Sequence, residues 1–122
     1  MAPLLIYVSG PYTADTEHEK QANVNRALDA GIEVHRRGHI PLVPHLTHYF
    51  DARTKALGEN ITWEQYMIWD LAILERCDAI LYLDSSPGAD IELRFAENNG
   101  IIVYRSIHDI PECERYSLED LE

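Results

Sequence analysis

Neither GxGxxG nor GxxxxGK[ST] occurs in the 122 residues, so the Rossmann dinucleotide and P-loop readings have no motif. Basic residues are scarce, with 10 Lys and Arg against 21 Asp and Glu and a net charge of −11. Such a chain repels phosphate polymers, which excludes a nucleic-acid strand as the expected partner. A small nucleotide stays open, because a helix N-terminus or a local arginine holds one phosphate. The two cysteines, Cys77 and Cys113, form no CxxC or metal pattern. They fit reduced thiols in a cytoplasmic protein better than a disulfide framework. Long apolar runs are also missing. MAPLLIYVSG carries no basic region and only a five-residue apolar run, unlike a signal peptide. Nothing approaches the roughly 20 residues that span a bilayer, so no membrane partner is expected. There is no internal repeat or low-complexity segment, and at 46% apolar residues the composition is that of one globular domain, 1–122.

Short apolar runs alternate with helical patterns along the chain. LLIYVS (4–9) ends at Gly10-Pro11 and reads as a buried strand entering a turn. Thr16 and Glu19 have capping-box spacing before a helix that ends near Arg37, with Gly38 beyond it. HIPLVP (39–44) is a second strand, and HLTHYFDARTKALGEN reads as one helical turn plus a loop. Thr62 and Gln65 open a helix through about Arg76, and DAILYLD (78–84) is a third strand. SSPGADIELRFAENNG supplies a further helix closed by Asn99-Gly100, followed by IIVY (101–104). The order predicts an α/β fold: one doubly wound, Rossmann/flavodoxin-like parallel sheet of four to five strands flanked by helices. The core is expected at 4–104, with an acidic, weakly patterned tail at 105–122. In such sheets ligands bind beyond the carboxyl ends of the strands, here after residues 9, 44, 84 and 104.

Two acids break the helical pattern. On a wheel of about 100° per residue, Ala89, Ile91, Leu93, Phe95 and Ala96 fill one arc, and Glu92 lies inside it. Asp90 falls on the opposite side, as an ordinary first-turn acid. The helix at 63–77 repeats this, with Asp70 amid Trp63, Tyr66, Met67, Ile73, Leu74 and Cys77. A carboxylate facing a core is costly unless it is paired, hydrogen-bonded or exposed in a cleft. Two of them near a sheet's carboxyl edge suit acid, base or nucleophile chemistry, and the helix dipole at Glu92 favours the ionised form.

The segments IYVSGPYT (6–13), WDLAILERCDAILYLD (69–84) and SPGADIELRFA (86–96) resemble, in order and spacing, the nucleoside 2-deoxyribosyltransferase superfamily. That superfamily includes the 2'-deoxynucleoside 5'-phosphate N-hydrolases and many short relatives. The resemblance implies an enzyme without cofactor or metal that acts on a small nucleoside or nucleotide, in a homodimer or higher homo-oligomer. Glu92 matches the nucleophilic glutamate that attacks the anomeric carbon and carries the deoxyribosyl group. Tyr7 matches the tyrosine that orients it, although its alternating strand position also reads as a plain core tyrosine. Asp70 matches the aspartate that meets the base and assists its departure. The loop Ser9, Gly10, Pro11, Tyr12 matches the lining of the sugar site. Ser86 falls where transferases carry an aspartate and the phosphate hydrolases a serine, and Asp90 where better-known members carry glycine. The expected reaction cleaves the N-glycosidic bond through an oxocarbenium-like transition state, with another base or water as acceptor.

His45, Tyr49 and Trp69 are candidates for lining a base pocket, and Gly88 lets the backbone approach a ligand closely. His35 with His39, and His45 with His48, lack a fixed carboxylate or cysteine partner, so surface or base-stacking roles are the default over metal binding. Two other classes remain open: a non-catalytic nucleotide-binding module, and an FMN carrier using SGPYT as its first loop.

Overall fold

A computed structural model describes residues 2–114 and 117–121. Leu5–Ser9 form strand β1, whose period-two alternation sends Ile6 and Val8 to one sheet face and Tyr7 and Ser9 to the other. Thr16 Oγ1 accepts from the Glu19 N–H at 3.1 Å and starts helix α1, Glu17–Arg36. Gly38 follows with φ +88°, and a Cβ there would lie 1.7 Å from the Cys113 carbonyl oxygen, so glycine is required twice over. Strand β2 (Ile40–Leu42) leads through a 3₁₀ turn, Pro44–Leu46, into helix α2, Thr47–Ala56. A full capping box of Thr62 and Gln65 opens helix α3, Trp63–Leu74. Strand β3 (Ala79–Tyr82), helix α4 (Pro87–Asn98) and strand β4 (Ile102–Tyr104) complete the core.

The four strands are all parallel in the order β2-β1-β3-β4, with Tyr7 opposite Leu42 on one side and Ile80 on the other. The fold is therefore the expected α/β sheet flanked by helices. Because β2 and β3 flank β1 on opposite sides, the winding reverses at β1/β3, and a crevice opens at the carboxyl ends of these two strands. Apolar clusters pack on both faces. Ile6, Val34, Ala79, Leu81 and Ile110 form one, and Tyr7, Leu74, Cys77, Ile80 and Ala96 the other.

Three expectations change. The stretch after His45 is a ten-residue helix, not one turn and a loop. Its pattern was concealed because α2 buries only Thr54 and leaves Tyr49 and Phe50 half exposed. The core does not stop at residue 104: Ile110 is 1% exposed, inside the cluster around Ile6. His39, buried, ties this segment down, with Nδ1 accepting from the Leu4 N–H at 2.9 Å and Nε2–H donating to the Pro111 carbonyl at 2.5 Å. Finally, the apolar arc of α3 is only partly core, since Met67 and Leu74 are buried while Trp63 and Ile73 are exposed. Among the described residues no helix is long and apolar enough to cross a membrane.

Candidate active site

Tyr7 and Ser9 stand two apart on β1, so both face α4 at the crevice end of the strand. There they grip one carboxylate. Tyr7 Oη donates a short hydrogen bond to Glu92 Oε2, and Ser9 Oγ donates to Oε1 at 2.8 Å. Both donors are fully buried and Glu92 is 5% exposed. Burial pushes the Glu92 carboxyl up to about 7, against the downward pull of the two hydroxyls. Burial, then the charges of Glu92 and Asp70, hold the Tyr7 phenol well above its ordinary range, so it remains a donor at any physiological pH. Helix α4 begins at Pro87, which makes Glu92 its sixth residue and puts it beyond the first turn. The dipole fades there. The hydroxyls of Tyr7 and Ser9, rather than the dipole, are thus what favours the ionised form.

Asp70, from α3, lines the same cavity of about 490 Å³ as Glu92. It faces this cavity rather than the core, and its buried Oδ1 has no hydrogen-bond partner among the described residues. Burial, reinforced by the Glu92 charge, raises its carboxyl to about 7. The two carboxyls therefore resist ionising together. Glu92, with two hydroxyl donors, gives up its proton first, and its charge then keeps the proton on Asp70.

The loop after β1 contributes unequally. Gly10 and Tyr12 line the cavity, Ser9 acts from behind Glu92, and Pro11 offers its carbonyl to His45. His45 Nε2 lies 3.0 Å from the Gly10 carbonyl and 3.1 Å from that of Pro11, which only accept, so Nε2 carries the hydrogen. Its Nδ1 is then an acceptor, buried and without a partner among the described residues, on a side chain that lines the cavity. Burial lowers the His45 pKa and keeps the ring neutral. Ser86 caps α4, accepting from the Ala89 N–H at 3.1 Å, and it too borders the cavity. A Cβ added at Gly88 would meet Met67 Sδ at 3.4 Å, ordinary contact, so glycine here leaves space in the cavity rather than relieving the backbone.

Three candidates lie elsewhere. Tyr49 is half exposed and packs edge-on against His48, with centroids 5.2 Å apart. Trp69 turns about 100° from its neighbour Asp70 and stacks edge-on with Phe50 and Tyr66 at 5.5 Å. Asp90, two residues before Glu92, points away. It accepts from Tyr82 Oη at 2.7 Å and Ser85 Oγ at 2.8 Å, and these bonds hold its carboxyl below the usual range.

The cavity also contains side chains that the sequence pattern did not single out as ligands: Lys20, Asp51, Lys55, Trp63 and Tyr66. Tyr66 Oη and Lys55 Nζ each lie 2.8 Å from Asp51, one on each carboxylate oxygen. Burial raises Asp51, but Lys55 and Tyr66 outweigh it and hold the carboxyl below its usual range. Burial and the neighbouring Asp51 push the Tyr66 phenol up to about 12. Spacing held two signals for this group: Tyr66 is four before Asp70, and Asp51 four before Lys55.

The arrangement sets a hydrogen-bonded carboxylate and a carboxyl that retains its proton toward neutrality in one cavity, a pairing that suits acid, base or nucleophile chemistry. Residues 4–105 match the family model described as Domain of unknown function (DUF4406). No curated protein matches the chain.

Proposed function

We propose that this chain, which belongs to the DUF4406 family, cleaves the N-glycosidic bond of 2'-deoxynucleosides and passes the deoxyribosyl group to an acceptor base. The observation that carries this reading is Glu92, buried and held by Tyr7 and Ser9 in the cavity that Asp70 also lines. The resemblance of 6–13, 69–84 and 86–96 to the nucleoside 2-deoxyribosyltransferase superfamily supports it. A Glu92 oxygen bonds to the anomeric carbon as the C–N bond breaks. The C–N electron pair leaves with the base, which takes the Asp70 proton. A second base then attacks the anomeric carbon, returns a proton to Asp70 and frees Glu92, so configuration is retained over the two displacements.

A second reading has water as acceptor and a 5'-monophosphate as substrate. Lys20, a cavity-lining cation in a chain of net charge −11, favours it. Incubation with 2'-deoxynucleosides and their monophosphates, with and without free adenine, followed by chromatography of the bases, tests both. Exchange that requires the added base supports transfer, and release without it supports hydrolysis. Neither process with any substrate removes the enzymatic reading.

The outer apolar side chains Phe50, Ile68, Trp69 and Ile73 on α2 and α3 support self-association. Trp69→Glu is then expected to halve the mass seen by light scattering, and a wild-type monomer would contradict it. Nucleoside chemistry of this kind suits the cytoplasm.

A further inference from the structure

Outside the Glu92 pair, Asp51 joins two helices: Lys55 reaches it from its own helix and Tyr66 from α3. An i,i+4 pair on a helix surface is ordinarily a solvated ornament. This one is different in that the Asp51 side chain is 19% exposed, a third group braces it, and all three border the cavity. Tyr66 and Asp70 lie four apart on α3, on one face and about 6 Å along the axis. That rise is comparable to the reach of a heterocyclic base from its glycosidic nitrogen to its opposite edge. A base that takes the Asp70 proton and lies along this face reaches the level of Tyr66, the donor to Asp51, in a cavity that Trp63 and Met67 also line.

Resting on the glycosidic-bond reading above, the geometry points to Asp51 as the residue that selects the base, by accepting from an N–H on the edge opposite the sugar. An ionised carboxylate accepts about four hydrogen bonds. Tyr66 and Lys55 use two, and the remaining lone pairs are acceptors only. Lys55, 57% exposed on its side chain, is the movable partner, with N–H groups to spare for an adjacent ring nitrogen or carbonyl. The ligand class is a base with a donor at that edge, such as the exocyclic amine of adenine. A base lacking the donor leaves a carboxylate facing an apolar C–H.

The test compares kcat/KM for 2'-deoxyadenosine and for the analogue without the 6-amino group, in wild type, Asp51→Ala and Asp51→Asn. Wild type is expected to favour the amino base by about 10- to 100-fold, the range for a hydrogen bond to a charged group. In Asp51→Ala the ratio collapses toward one. Asp51→Asn, which preserves shape and guards against misfolding, also lowers it because the charge is gone. A ratio unchanged in both variants overturns the assignment. Should wild type release no base from either compound, the Glu92 reading fails by itself, and calorimetry with free adenine and free purine decides the Asp51 question. Tighter adenine binding that Asp51→Ala abolishes sustains it, and equal wild-type affinity for the two bases overturns it.

Discussion

At the two ends of one cavity, aspartates experience opposite surroundings. Asp70 sits beside the buried Glu92 with an unpartnered oxygen, and its carboxyl is raised to about 7. Asp51 sits between Lys55 and Tyr66, and its carboxyl is held below the usual range. Residue type and helical setting are the same, so the environment alone divides them. One end can hold and release a proton near neutrality, while the other is a fixed negative acceptor. Titratable groups of one type driven apart in this way mark different roles, and on the proposed reading the raised end carries the chemistry and the lowered end the recognition.

The widest test of that division is Glu92→Gln, which retains size and removes the proposed nucleophile. Base release is expected to fall by about 10⁴-fold or more while ligand still binds. A variant retaining most of its turnover would break the comparison at its chemical end. Asp70→Asn comes next, with a loss on the order of 10²- to 10⁴-fold in kcat. The wild-type pH–rate profile should be bell-shaped around 7: its rising limb reports ionisation of Glu92, and its falling limb loss of the Asp70 proton. Asp70→Asn should abolish the falling limb, and a bell identical to wild type would assign the proton donor elsewhere.

The chemical end was more legible in sequence than the recognition end, and the reason is physical. Glu92 and Asp70 stand out because an acid inside an apolar arc violates the helical period, and that violation is visible in one dimension. Asp51, Lys55 and Tyr66 violate nothing. Their four-residue spacings read equally well as solvated surface pairs, and the packing of α2 against the cavity separates the two readings. Alternation on β1 puts Tyr7 and Ser9 on one face, but the sequence reading took Ser9 only as part of the loop, and nothing local says which helix the two would meet. The parallel sheet followed from the rhythm of strand and helix. The ten-residue α2 and the buried Ile110 did not, since each depends on contacts distant in sequence.

Stability gives a third test, with a sign that separates the two ends. Glu92 has a folded pKa of about 7, above the ordinary glutamate value, so the folded state binds its proton more tightly than the unfolded chain does. Its contribution is fully present below pH ~4.5 and is lost as pH rises through 7, by about 3 kcal/mol. Glu92→Gln should therefore be more stable than wild type at pH 8, by about 1–3 kcal/mol in urea unfolding, and near wild type at pH 4. A variant equally destabilised at both pH values would mean that the carboxylate is not under electrostatic stress.

Lys55→Met at the opposite end has the smallest expected effect. The ammonium is more than half exposed and pairs at i,i+4, a geometry worth about 0.5 kcal/mol. Thermal unfolding at pH 7 should thus shift by about 2 °C. Asp51 keeps its Tyr66 donor, and so the carboxylate survives the substitution in place. High salt should remove most of the difference between variant and wild type, since exposed pairs are screened. A loss several-fold larger, insensitive to salt, would show that Lys55 braces α2 against α3. The recognition end would then be a structural clamp, and the contrast between the two aspartates would no longer separate chemistry from recognition.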